Sequence, residues 1–158
     1  MPIVNPTEEQ LAEFAAEAVD RKPIVMLNLL RFRDAADYGS GPESRLTGRK
    51  AYDRYTRAVM PLLWEVGGQV LWRGHVRSSF IAPEGESWDE ALLVHYPDRA
   101  AFVRMVNSPA YREAMTHRTA ALADSRLLET RPGRLPRVIL NLVRGAVRLR
   151  RLVSPRVR

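Results

Sequence analysis

Six side chains spread along this 158-residue sequence are of types that transfer protons or hold an oxyanion: Asn28, Tyr55, Trp72, His95, His117 and Arg118. On an aromatic substrate an amide or guanidinium holds developing negative charge, a Trp or Tyr stacks on the ring, and a histidine titrating near neutrality moves the proton. In that division of labour Asn28, His95 and His117 are the candidate catalytic groups, and Tyr55, Trp72 and Arg118 the candidate substrate-binding groups. Each also has a plainer role open to it. Asn28 can bond a helix end, His95 follows Leu93 and Val94 on an apolar run, Tyr55 and Trp72 suit a core or a subunit interface, and His117 with Arg118 can form a surface pair.

Several other chemistries are set aside by what the sequence lacks. His75, His95 and His117 fall on three different elements without metal-ligand spacing. The absence of cysteine removes disulfides, thiolate metal sites and a thiol nucleophile. No serine sits in a G-x-S-x-G context, and Gly39-Ser40-Gly41-Pro42 and Gly67-Gly68 are turn material, not a phosphate loop. Neither a metal nor another cofactor is expected.

Asn28 lies at the centre of Pro23 to Phe32, where the eight residues from Ile24 to Arg31 include six aliphatic or Met side chains. The run is short, bounded by Pro23 and by the polar stretch after Arg33, and reads as a strand buried on both faces. Alternation puts Ile24, Met26, Asn28, Leu30 and Phe32 on one side and Val25, Leu27, Leu29 and Arg31 on the other. A buried amide without partners costs about 1–3 kcal/mol, so Asn28 either bonds a neighbour or lines a polar pocket.

Before this strand, Thr7 and Gln10 form a capping-box signature opening a helix that runs to about Val19. After it, residues 33–47 are rich in Asp, Gly, Ser and Pro and form a long loop, either a lid or a connector. Tyr52, Tyr55, Val59, Leu62, Leu63 and Val66 recur at helical spacing up to Gly67-Gly68, with Pro61 expected to kink or split that helix. Gln69 to Ile81 and Trp88 to Tyr96 read as an antiparallel pair. A helix opens at Pro97-Asp98 and restarts at Ser108-Pro109, with Tyr111, Met115, Arg118 and Leu122 on one face, and Ser125 to Thr130 is a last strand.

The order is strand, helix, strand, strand, helix, strand, the α+β ferredoxin-like βαββαβ arrangement, with an extra N-terminal helix and a C-terminal tail. Residues 1–22 form the helical extension, 23–132 the domain and 133–158 the tail. Helices on one face of the sheet leave the other face open, and strands apolar on both sides need a second cover. A homodimer enclosing a shared core is the expected solution.

The net charge of +7 belongs to the tail: from Arg131 onward there are nine Arg and no acid, leaving 16 basic against 18 acidic residues before it. As a helix, residues 137–153 would set an arginine stripe against a wide apolar arc, which suits docking on protein or an in-plane helix on an anionic membrane. Nucleic acid is not expected, since no aromatic residue follows Tyr111 to stack on bases. The amino terminus has neither the basic lead nor the apolar run of a secretory signal, which points to a cytoplasmic protein, peripheral to the inner face of the membrane if the tail binds lipid.

M-L-N-L-L-R-F at Met26 to Phe32, Y-x-x-Y at Tyr52 to Tyr55, P-L-L-x-x-x-G-G from Pro61 to Gly68, L-W-R-G from Leu71 to Gly74, L-L-V-H-Y-P from Leu92 to Pro97, S-P-A-Y from Ser108 to Tyr111 and H-R-T-A-A-L-x-D-S-R-L from His117 to Leu127 stand in a fixed order. In that order and spacing they resemble the domain of unknown function 1330 family, of the dimeric α+β barrel superfamily, over about Pro23 to Pro132. The resemblance implies a homodimeric barrel and no settled catalytic residues. Superfamily members include cofactor-free quinol monooxygenases, haem-degrading monooxygenases, haem peroxidases and small isomerases that use the pocket between sheet and helices. The expected function is binding of a small aromatic or apolar molecule, as a cofactor-free monooxygenase or isomerase. The alternative is a non-catalytic binding or assembly module, held at a membrane by its tail.

Overall fold

The computed structural model describes residues 3–39 and 45–131. Eight elements follow in order: α1 (Glu8–Ala16), β1 (Ile24–Phe32), α2 (Gly48–Glu65), β2 (Gln69–His75), β3 (Glu90–Tyr96), α3 (Arg99–Asn107), α4 (Pro109–Ala121) and β4 (Leu122–Thr130). The strands form one antiparallel sheet in the order β2-β3-β1-β4, the ferredoxin-like order. The basic stretch 137–153 lies outside the described residues.

Local chemistry sets the helix starts. Thr7 accepts from the Gln10 amide while the Gln10 side chain accepts from the Thr7 amide, so both halves of the capping box are present. Thr47, Asp98 and Ser108 cap α2, α3 and α4 in the same way, each accepting from a backbone amide three residues on. Gly67, at φ +78°, takes the left-handed conformation that turns the chain out of α2 into β2.

Boundaries differ from the sequence expectation: α1 ends at Ala16 instead of about Val19, β3 begins at Glu90 instead of Trp88, and three further differences have physical reasons. Pro61 neither ends nor divides α2, which is one helix of 18 residues. Pro61 and Arg57, whose carbonyl loses its partner, both lie on the exposed side. β2 stops at His75, and the expected continuation to Ile81 is absent: Phe80 and Ile81 are more than nine-tenths exposed and outside the sheet. β4 begins at Leu122, not Ser125. Leu122 pairs with Phe32 across a register shift after Arg31 and is fully buried, so the chain passes from α4 into β4 without a linker.

Register decides which side chains share a face. Met26 faces Val94, Asn28 faces Leu92 and Leu30 faces Glu90 across the β1–β3 ladder. This side carries the core: Ile24, Met26, Val94 and Tyr96 pack beneath Val59 and Leu63 of α2, Phe102, Met105 and Val106 of α3, and Ala114 of α4. Val25, Leu27, Leu29, Leu93 and His95 point the other way, where no helix covers them. A second core surrounds Leu30, Ala51, Tyr52 and Leu122 at the far end of β1. There Gly48 is a steric requirement, because a Cβ would meet the Ala121 and Arg33 carbonyls at 2.4 Å.

Candidate functional site

Between the sheet and its helices lies a cavity of about 1210 Å³. Its apolar wall is drawn from Met26, Val59, Leu92, Val94, Phe102 and Met105, and the N-terminal segment with α1 supplies Val4, Leu11 and Phe14. Its polar lining includes Asn28, Tyr52, Tyr55, Tyr111, Arg73, Glu90, Arg118 and Ser125. Asn28, Tyr55 and Arg118, expected from the sequence to form a site, are therefore brought together.

The Asn28 amide donates to the Met26 carbonyl at 3.2 Å, which satisfies one donor. The Tyr55 hydroxyl donates to that of Tyr111 at 3.3 Å, and the rings of Tyr52 and Tyr55 lie 5.2 Å apart. Burial raises the Tyr55 pKa well above its ordinary value and pushes Tyr52 up to about 12. Both phenols stay protonated at neutral pH and offer hydrogen bonds, not bases.

Arg118 of α4 is 7% exposed. Its guanidinium donates to the Val4 carbonyl, to Asn5 Oδ1 at 3.1 Å and to Ser125 Oγ at 3.1 Å. Ser125 in turn donates its backbone N–H to the Ile3 carbonyl at 2.9 Å, so the same cluster fastens the N-terminal segment.

Glu90, missed in the sequence, is fully buried. Arg73 holds it through two bonds, Nε to Oε1 at 2.7 Å and Nη2 to Oε2 at 3.0 Å, and Arg49 of α2 bonds Oε2 as well. Stepping back by twos from Tyr96 through Val94 and Leu92 reaches Glu90, so the alternation held a usable signal.

The other candidates lie elsewhere. His95 opposes Val25 and Gln69 on the uncovered face, with its Nδ1 buried and unpartnered among the described residues. Trp72 opposes Leu93 on that face and is 53% exposed. Gly74 makes room for its ring, since a Cβ there would meet it at 2.4 Å, which gives a physical reason for the L-W-R-G spacing. His117 bonds the Tyr38 hydroxyl at 2.7 Å and does not line the cavity. The ends of the 33–47 loop, expected to be a lid or a connector, are pinned by Ala36 to Leu46 and Asp37 to Ala120 hydrogen bonds, and its residues 40–44 lie outside the described residues. No cluster of metal-ligating side chains occurs among the described residues.

Fold and cavity together define a ferredoxin-like α+β protein with a ligand-sized chamber between sheet and helices. The chain belongs to the family described as Domain of unknown function (DUF1330), whose profile matches residues 43–130. A crystal structure of a protein of unknown function from Rhodopseudomonas palustris is 40% identical, with 85% of this chain and 100% of that one covered at a TM-score of 0.77. Its methylated form is 41% identical, with 85% and 98% covered at a TM-score of 0.79. A hydroxynitrile lyase from Passiflora edulis, 11% identical, shares the fold at a TM-score of 0.50 over 73% of this chain and 98% of that one. No curated protein matches.

Proposed function

We propose that this protein binds a small, predominantly apolar or aromatic molecule in the chamber under its helices and does so as a homodimer. The observation that carries the reading is the chamber itself, about 1210 Å³, walled by Met and aromatic side chains with a few convergent polar groups. A pocket of that make-up is the usual form of a small-molecule site. The homodimer is supported by the uncovered sheet face, where Val25, Leu27, Leu29 and Leu93 need a cover.

Binding is favoured over proton-transfer catalysis by what the chamber contains. Neither His95 nor His117 lines it, the raised pKa values keep Tyr52 and Tyr55 neutral, and Glu90 is committed to two arginines. An enzymatic role, as a cofactor-free monooxygenase or isomerase, would rest on Asn28, Arg118 and the phenols as an oxyanion-holding set. A protein of the same fold is a hydroxynitrile lyase, so the fold is compatible with catalysis.

A thermal-shift screen over quinols, aromatic acids, aromatic alcohols and haem tests the reading. A binder of the native state raises the melting temperature by mass action. Val59→Trp, which partly fills the chamber, is expected to weaken the response to any hit. A screen without hits, or hits that stabilise the filled variant equally, contradicts it.

A further inference from the structure

Arg118 is a buried cation without a counter-charge. All three acceptors of its hydrogen bonds, the Val4 carbonyl, Asn5 Oδ1 and Ser125 Oγ, are neutral. No carboxylate lies within ion-pair distance of it among the described residues. Glu90 is held by Arg49 and Arg73, and Asp124 by Arg126 at 2.6 Å and Arg31 at 3.8 Å. The other buried charges, Glu90 and Asp124, are paired, as burial requires, and among the described residues Arg118 is the buried charge that lines the chamber unneutralised; Glu13 and Arg112, which also line it, are exposed to water.

A guanidinium has five N–H donors. The recorded bonds engage Nη1 twice and Nη2 once, so the Nε donor and one Nη2 donor have no acceptor among the described residues. Tyr52 lines the same chamber and, as a neutral hydroxyl, offers a further donor, while the Tyr55 proton is engaged by Tyr111. The wall is otherwise mostly apolar, and its buried carboxylate, Glu90, is already paired. Such a set of donors around one uncompensated cation is matched by one negative oxygen-bearing group on an otherwise apolar body.

Resting on the binding reading above, we infer that the ligand is a monoanion, a carboxylate or a comparable oxyanion on an apolar or aromatic body, whose charged head sits at Arg118. The competing account is that Arg118 serves only to fasten Val4 and Asn5 to the domain.

Two fluorescent probes that differ by one sulfonate group separate these accounts: 8-anilinonaphthalene-1-sulfonate and its neutral counterpart N-phenyl-1-naphthylamine, titrated into the full chain. The expected result is about tenfold tighter binding of the sulfonate, the low end of what hydrogen bonds to a charged group supply. Arg118→Met is expected to erase that preference while the neutral probe's affinity stays within roughly twofold. Should that variant not fold, Tyr52→Phe is expected to weaken the sulfonate several-fold and to spare the neutral probe. Equal binding of both probes by the wild-type protein, or a preference that survives loss of Arg118, overturns the anion assignment and leaves the apolar chamber standing. Failure of both probes to bind overturns the chamber reading and this inference with it.

Discussion

Glu90 is a fully buried carboxylate, and a charge taken out of water persists only where close partners replace its hydration. Arg49 and Arg73 do this from α2 and β2, so one side chain on β3 ties a helix and an edge strand to the sheet centre. Glu90→Gln keeps the shape and leaves two guanidinium groups facing a neutral amide. The expected loss is about 1–3 kcal/mol of stability, read from urea denaturation, and an unchanged midpoint contradicts this role. At this scale the sequence was informative about residue types and less so about faces. Alternation set Asn28 beside Met26 and Leu30, but both faces of β1 are apolar, so nothing local said which one the helices cover. His95 and Trp72 were therefore grouped with Asn28, although strand register, which depends on distant partners, puts them on the opposite face.

Among the elements, α1 is the one whose attachment is made of a few bonds, since none of its residues is buried. Ahead of it the Ile3 amide donates to Asp124 Oδ1 at 2.9 Å, and behind it Glu17 pairs with Arg99 at 2.6 Å. Because Val4, Leu11 and Phe14 line the chamber, this segment forms part of its wall. Burial pushes the Asp124 carboxyl up, but the Ile3 amide and Arg126 outweigh that and hold it below its ordinary value of 3.8. The folded-state pKa is the lower one, so the ionised carboxylate favours docking above pH 3.8, and this contribution is lost as pH falls below it. The expected outcome is that Asp124→Asn weakens hydrogen-exchange protection of the α1 amides, such as that of Leu11, at neutral pH while β1 stays protected. Equal protection in both proteins contradicts the tether. The caps at Thr7, Thr47, Asp98 and Ser108 were all marked by residue type, which is why helix starts were legible. The continuity of α2 through Pro61 was not, because whether a proline breaks a helix depends on where the freed carbonyl points.

For the whole molecule the balance of the sheet's two faces decides the assembly. One face carries the helices and the chamber, and the other shows Leu27, Leu29, Leu93 and a half-exposed Trp72. The ferredoxin-like order was readable because each element is patterned and, except between α4 and β4, separated by Gly or Pro punctuation, whereas the chamber, a volume left between elements, has no signature in the chain. Light scattering at micromolar concentration is expected to give twice the chain mass, and Trp72→Asp, which places a charge on the apolar face, to shift it toward the single chain. A stable solitary wild-type chain contradicts the dimer. The central claim, that the chamber takes up a small molecule, is most directly tested through the methionines, because Met26, Met60, Met105 and Met115 all line it. With methyl-labelled methionine, a ligand found by the screen is expected to shift these four NMR signals together and in a saturable way. Saturable binding that leaves all four unmoved would place the ligand elsewhere and contradict the account.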